Sequence, residues 1–291
     1  MSIKKGLHLK GTKYEIPYLL RDKRFLAGSI VILSIILAGF SPYIFSIPFP
    51  KTGECFPPNQ PPSSKHILGV DLYGRDWFRL LLYSIMPSLY TGVLAGLVGS
   101  FIGILIGFLS AYKGGIIDDA LRTITDTVIM IPLWPILVLL SFSVKVYTAE
   151  QLALILAAFS WAGAARSIRS QVYSLKERPF VELAKITNLS IFEIMFLEIA
   201  PNMLPYIIIG LISSVSGSLL ALIGLQLIGL GPPNLVSLGY MIWVCQRGGY
   251  YGKGWWWFFM PPILLVVVIF VGLYLINLAI ESLSNPRLRK L

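Results

Sequence analysis

Apolar residues run along this chain in long blocks, with polar residues confined to the short segments between them. Six blocks reach or approach the ~20 residues that a helix needs to cross ~30 Å of hydrocarbon. They lie near 25–45, 88–111, 121–144, 149–165, 203–230 and 256–280. The third carries Asp126, Pro132 and Pro135, so its first turns are expected at the interface. The fourth is short and rich in alanine. The pattern predicts an all-α polytopic membrane protein with six transmembrane helices. The expected organisation is an arm over 1–24, a first span over 25–45 and an outer loop over 46–87 with an interfacial helix. A five-helix core over 88–281 follows, including a loop over 166–202, and a tail closes the chain at 282–291.

Composition removes the alternatives. Of 291 residues, 56% are apolar and 13% charged, and the mean hydropathy is +0.75. A soluble domain carries about 25% charged residues, and disorder requires low hydrophobicity. The apolar run after the basic N-terminal arm is longer than a signal-peptide core and ends in no small-residue cleavage site, so it reads as an uncleaved span.

The net charge of +10 acts first as a topology signal. Seven Lys and Arg lie in the arm, Lys113 and Arg122 near the second polar segment, five between Arg166 and Lys185, and three in the tail. Those seventeen face seven on the other side: Lys51, Lys65, Arg75, Arg79, Lys145, Arg247 and Lys253. An excess of cations marks the cytoplasmic side, so both termini and the 166–202 loop are expected in the cytoplasm of a cell membrane. The positive excess is thereby read as orientation and lipid contact rather than nucleic-acid binding.

Within the second block Ala95, Gly99, Gly103, Gly107 and Ala111 recur at four-residue steps, with Gly92 and Gly96 beside them. Such spacing lets two helix backbones approach closely in lipid. The motif predicts a helix–helix seam without naming its partner.

No catalytic constellation is legible. His8 and His66 are far apart, Gly252-Lys253 lacks the upstream glycine of a phosphate loop, and no metal-ligand spacing occurs. Carboxylates inside the predicted spans are nearly absent, Asp126 and Glu281 standing at span ends, whereas gradient-driven transporters place such groups in the bilayer. The energy for transport is therefore expected from a partner chain.

The 166–202 loop is the informative segment. Pro179 suits a helix start, a short helical stretch follows from Val181, and Asn188 suits a helix end. A second apolar-rich segment runs over 191–199 to Pro201. This reads as a helix–turn–helix on the cytoplasmic face, or on pattern alone as an amphipathic interfacial helix. It resembles the E-A-A-x-x-x-G…L-P coupling motif of ABC importer permeases: Glu182, Ala184 and Pro201 match, Leu183 takes the second position and Asn188 the place of the glycine.

Further segments extend the resemblance to the C-type subunit of the oligopeptide/dipeptide/nickel subgroup. His66-Ile-Leu-Gly69-Val-Asp71-Leu-Tyr-Gly74-Arg75-Asp76 followed by Leu80-Leu-Leu-Tyr83 resembles H-P-L-G-T-D-x-x-G-R-D…L-L-Y-G. Tyr112, Gly114, Gly115, Asp118, Asp126 and Pro132 resemble its G-Y-x-G-G…D…D…P run. Gly229, Gly231, Pro232 and Pro233, then Trp255, Pro261 and Asn285-Pro286-Arg287-Leu288, complete it, with Asn285 where aspartate is usual.

The resemblance implies a type I ABC importer permease. A second permease subunit, B-type in a heterodimer, would complete the path; two cytoplasmic ATPases would carry ATP and Mg²⁺; an external binding protein would deliver solute. This chain would hold no cofactor and do no catalysis. Glu182, Leu183, Ala184, Lys185 and Asn188, with Pro201, would form the ATPase-coupling element. Peptides are the expected solute, with oligosaccharides or nickel as the alternative; a stand-alone carrier or channel is the reading from another class.

Three weaker signals remain open. Ser213, Ser214, Ser216, Gly217 and Ser218 line a solute path or serve as packing contacts between helices. Trp243, Tyr250, Tyr251, Trp255, Trp256 and Trp257 form a membrane-interface belt or a contact for the binding protein. Cys55 and Cys245, both in expected outer loops, pair as a disulfide unless their Cα atoms lie more than ~7 Å apart.

Overall fold

The structure is a computed structural model that describes residues 19–51, 56–143, 148–187, 189–190, 193–232 and 234–284. Its elements are helices: α1 (Lys23–Ile44), α2 (Trp77–Lys113), α3 (Gly115–Met130), α4 (Leu133–Ser143), α5 (Ala149–Lys176), α6 (Pro179–Ile186), α7 (Leu204–Leu227), α8 (Leu238–Arg247) and α9 (Trp256–Ser284). A π-helical turn, Ile194–Ile199, and a short turn, Ala200–Asn202, join α6 to α7. Among the described residues there is no strand, only isolated antiparallel bridges pairing Val70 with Gln60 and Asp76.

Among the described residues five helices (α1, α2, α5, α7 and α9) are long and apolar enough to cross a membrane, and the bent pair α3–α4 counts as a sixth when its halves are taken as one span. The third span is thus broken: its halves meet at 78°. Pro132 explains the break, because the residue before a proline is pushed out of the helical region, and Ile131 is extended (φ −69°, ψ 122°). The expectation of one continuous third block is corrected by that geometry.

α2 is the axis of the fold, packing chiefly on α5 and then on α7, while α9 packs on α1. The small-residue seam explains the first contact. A methyl at Gly103 would lie 2.5 Å from the Trp161 carbonyl oxygen, and one at Gly107 2.7 Å from that of Ala165. At Gly99 it would collide with the Ser160 hydroxyl, and Ala95 is fully buried beside Leu152 and Leu156. Gly96 serves the neighbouring face, where a methyl would lie 2.5 Å from Val215 Cα on α7. Without a hydrophobic drive between helices in lipid, such close approach supplies the packing.

Three other expectations change. The interfacial helix expected before span two is continuous with it: Asp76 accepts the Arg79 N–H at 2.9 Å as N-cap, and α2 runs 37 residues from there. Arg75 and Asp76, which fall in the segment expected as an outer loop, are buried at 5% and 3% exposure, and each is paired. Arg166, Arg169 and Lys176, expected in the loop, belong to α5, which a Thr148–Gln151 capping box starts and which continues to Lys176.

Residues 56–77, α8 and the segment after it close one end of the bundle as a cap. Its core joins Trp77, Leu80, Met241, Val244, Cys245, Tyr250 and Phe258, all fully buried. Trp77 Nε1 donates to the Phe258 carbonyl at 2.8 Å, and the Tyr250 hydroxyl to Asn59 Oδ1 at 3.0 Å. Buried indole and phenol groups keep polar partners in this way.

Candidate functional site

The opposite end of the bundle is built around α6. Phe108 and Ala111 of α2, Ile168 and Val172 of α5, Val181 and Ala184 of α6, and Ile194, Met195 and Ile199 of the π-turn form one buried cluster. Val181 is wholly buried and Ala184 nearly so, whereas Glu182, Leu183 and Ile186 face outward, the last two 62% and 78% exposed. The helix therefore grips the bundle with one face and leaves an apolar face open. Phe196 and Leu197 of the π-turn extend that open surface, and Ser190 and Glu193 cap its start by bonding each other's backbone N–H.

Of the coupling residues expected from sequence, Glu182, Leu183 and Ala184 lie on α6 and Pro201 is exposed in the turn before α7. Lys185 lies on α6 with its side chain outside the described residues, and Asn188 lies outside them altogether.

Beside this cluster α2, α3 and α5 are tied by Asp118. Its carboxylate accepts from Arg169 Nε and Nη2, each at 2.6 Å, from the Tyr173 hydroxyl at 2.7 Å and from Ser110 Oγ at 2.5 Å. Bidentate Arg–carboxylate pairs are among the strongest charge-assisted contacts. Lys176 extends the joint, donating to the Ala111 carbonyl at 3.1 Å over the Tyr173 ring. One turn pair further along, Arg166 donates to Asp126 at 2.6 Å in a more open setting. Asp118 and Asp126 had been visible only as acidic positions in a run; their partners lie 51 and 40 residues away, beyond any local pattern.

A groove of about 400 Å³ opens between α5, α7 and the start of α4. Ser160, Gly163 and Ser167 line it from α5; Gly210, Ser213, Ser214, Gly217 and Ser218 from α7. A methyl on Gly163, Gly210 or Gly217 would touch nothing, unlike the seam glycines of α2. Among the described residues the buried hydroxyls of Ser214 and Ser218 meet no partner, and Ser213 accepts from Asn277 at 3.2 Å.

In the cap, Asp71 accepts from Arg75 Nε (2.8 Å) and Nη2 (2.6 Å) and from the backbone of Tyr73 and Arg75 (2.9 Å each). Burial works against the Arg75 charge, but Asp71 holds its guanidinium above the ordinary arginine range. Its Nη1 reaches the Tyr240 hydroxyl at 3.3 Å, and His66 Nδ1 pairs with Asp76 at 2.7 Å. The aromatic group expected as one belt divides: Tyr250 is core, Trp243, Trp255 and Trp257 pack against it, and Trp256 and Tyr251 stay exposed. Cys245 is buried in the same core, where burial and then Asp71 push its thiol up. Cys55 lies outside the described residues, and so does its expected pairing with Cys245.

A family model described as binding-protein-dependent transport system inner membrane component matches residues 103–290. An oligopeptide transport system permease protein of Mycobacterium tuberculosis is 30% identical over 186 residues, 63% of this chain and 64% of the relative. The chain thus spans just under two thirds of that relative's length. Another protein of the same name, from Lactococcus lactis subsp. cremoris, is 28% identical over 229 residues, 76% of each chain. A dipeptide transport system permease protein of Bacillus subtilis is 29% identical over 217 residues, 72% of this chain and 66% of its own.

Proposed function

We propose, since this chain belongs to the family of binding-protein-dependent transport system inner membrane components, that it is a multi-pass permease subunit of an ATP-driven peptide importer. The peptide reading takes its support from relatives named for oligopeptide and dipeptide transport. On this reading a second permease subunit completes the path, an external binding protein delivers the peptide, and two ATPase subunits supply ATP hydrolysis with Mg²⁺. The α6 end faces the cytoplasm and the cap faces outward, in keeping with the excess of Lys and Arg on the α6 side.

The single observation that carries the reading is the two-faced α6. Its buried face, Val181 and Ala184, is continuous with the cores of α2 and α5, while Leu183 and Ile186 stand in the open at the end of the bundle. An exposed apolar helix face rimmed by polar residues marks an interaction site. Seated in an ATPase cleft, α6 would pass ATP-driven displacement into the bundle as a rigid-body movement. The groove lined by Ser213, Ser214, Gly217 and Ser218 suits a solute path, since its small residues leave space without a tight pocket.

The test is co-purification of the chain with co-expressed candidate ATPase subunits, followed by peptide uptake into vesicles. ATPase retention that is lost in Glu182→Lys, with uptake dependent on ATP and on an external binding protein, is the expected result. Uptake by this chain alone, without ATP, would overturn the importer reading; uptake of oligosaccharide or nickel and not peptide would overturn the substrate.

A further inference from the structure

A cavity of about 290 Å³ lies between α2, α3 and α5, on the side of α5 away from the small-residue groove. Arg122, Arg166 and Arg169 line it, with Asp126 as the one carboxylate among its lining residues. Asp118 neutralises Arg169 from outside the lining through Nε and Nη2, and among the described residues Nη1 has no hydrogen-bond partner. Arg166 commits only Nη2, to Asp126, and Arg122 approaches that same carboxylate only at 3.6 Å. Three arginines therefore line one open cavity, with N–H donors that no described residue takes up. Guanidinium forks match the oxygens of phosphate better than any other side chain does.

The position along the bundle narrows the ligand. Arg166 lies about 17 residues past the start of α5, roughly 25 Å along a helix that rises 1.5 Å per residue. That is close to the far boundary of a hydrocarbon core about 30 Å thick, where lipid headgroups sit. On the same helices Leu105, Leu109, Ile117 and Ile124 are exposed apolar residues, a surface suited to acyl chains. We propose that this cavity binds a phosphate-bearing anion, supplied as the headgroup of an anionic phospholipid. Basic pockets between membrane helices on the cytoplasmic side hold such headgroups elsewhere. The assignment of this cavity to the cytoplasmic leaflet rests on the orientation proposed above.

The purified full chain, reconstituted in phosphatidylcholine nanodiscs with and without phosphatidylglycerol, is analysed by native mass spectrometry for retained lipid. Phosphatidylglycerol should be retained over phosphatidylcholine, and Arg122→Gln should lower that retention about fivefold, near the worth of one cation at a charged membrane surface. Arg178→Gln, which removes an exposed arginine outside the cavity, should leave it unchanged. Equal retention of the two lipids, or an equal loss in both variants, would overturn the site. Inorganic phosphate that raises thermal stability in pure phosphatidylcholine, and not in Arg122→Gln, would overturn the lipid in favour of a free anion. None of these readouts uses transport or ATPase binding, so the importer reading and the lipid site fail separately.

Discussion

In the cap, polar and charged groups are sealed in and satisfied over a few residues: Asp71 with Arg75, His66 with Asp76. At the α6 end, the charged joint is assembled from distant segments, Asp118 with Arg169 and Asp126 with Arg166, and is partly open to its surroundings. The apolar groups follow the same division. Trp77, Tyr250 and Phe258 are fully enclosed in the cap, while α6 keeps Leu183 and Ile186 outside. One end is finished within the chain; the other is left with an open apolar face. A buried pair is costly to break once formed, whereas exposed pairs contribute little, so the two ends should answer mutation differently.

The strongest way to break this contrast is Asp71→Ala. It strands the buried Arg75 guanidinium and two backbone N–H groups, and thermal unfolding in detergent should show a loss of about 3–5 kcal/mol. A change no larger than that of an exposed substitution would mean the cap is not held by its charges. At the other end Asp118→Asn should cost about 2–3 kcal/mol, since it weakens charge-assisted bonds from Arg169, Tyr173 and Ser110. Asp126→Asn, at the open pair, should barely move the unfolding midpoint. Equal effects at the two aspartates would remove the distinction between a closed and an open rung.

The next comparison sets the seam against the groove. Gly103→Val places methyl groups against the Trp161 carbonyl and should destabilise by about 1–3 kcal/mol. Gly210→Ala enters open space and should stay within about 0.5 kcal/mol of the parent. The smallest effect on folding is expected at Glu182→Lys. Its unfolding curve should overlay the parent's while ATPase chains are no longer retained on the affinity column; a parallel loss of stability would make α6 a structural element only.

Much of the scaffold is legible in the sequence alone. Span-length apolar blocks identify their helices because a bilayer demands a minimum length, and the glycine register from Gly99 to Gly107 announces a close approach. The α6 element was readable because Pro179 and the alternation of Val181 and Ala184 with Glu182 and Leu183 are local features. What escaped were features made by distance. The seam's partner, α5, is named only by the Trp161 and Ala165 carbonyls that a side chain would strike. Arg75 and Asp76 fall in a segment that reads as an outer loop, where a polar residue is ordinarily solvated; only their partners show why they are buried. The break at Ile131 was signalled by Pro132, yet a proline within a membrane helix is tolerated often enough that 78° was not to be read from it.

The sequence by itself determined the class of the molecule and the span-length apolar blocks, because lipid imposes those constraints on composition and on contiguous runs. Tertiary structure alone decided which glycines are packed and which stand open, and which charges are closed and which are open. It also decided where the arginines of α3 and α5 converge. Those outcomes depend on contacts between residues tens to hundreds of positions apart. No window along a chain records such contacts, because they exist only once the helices have met.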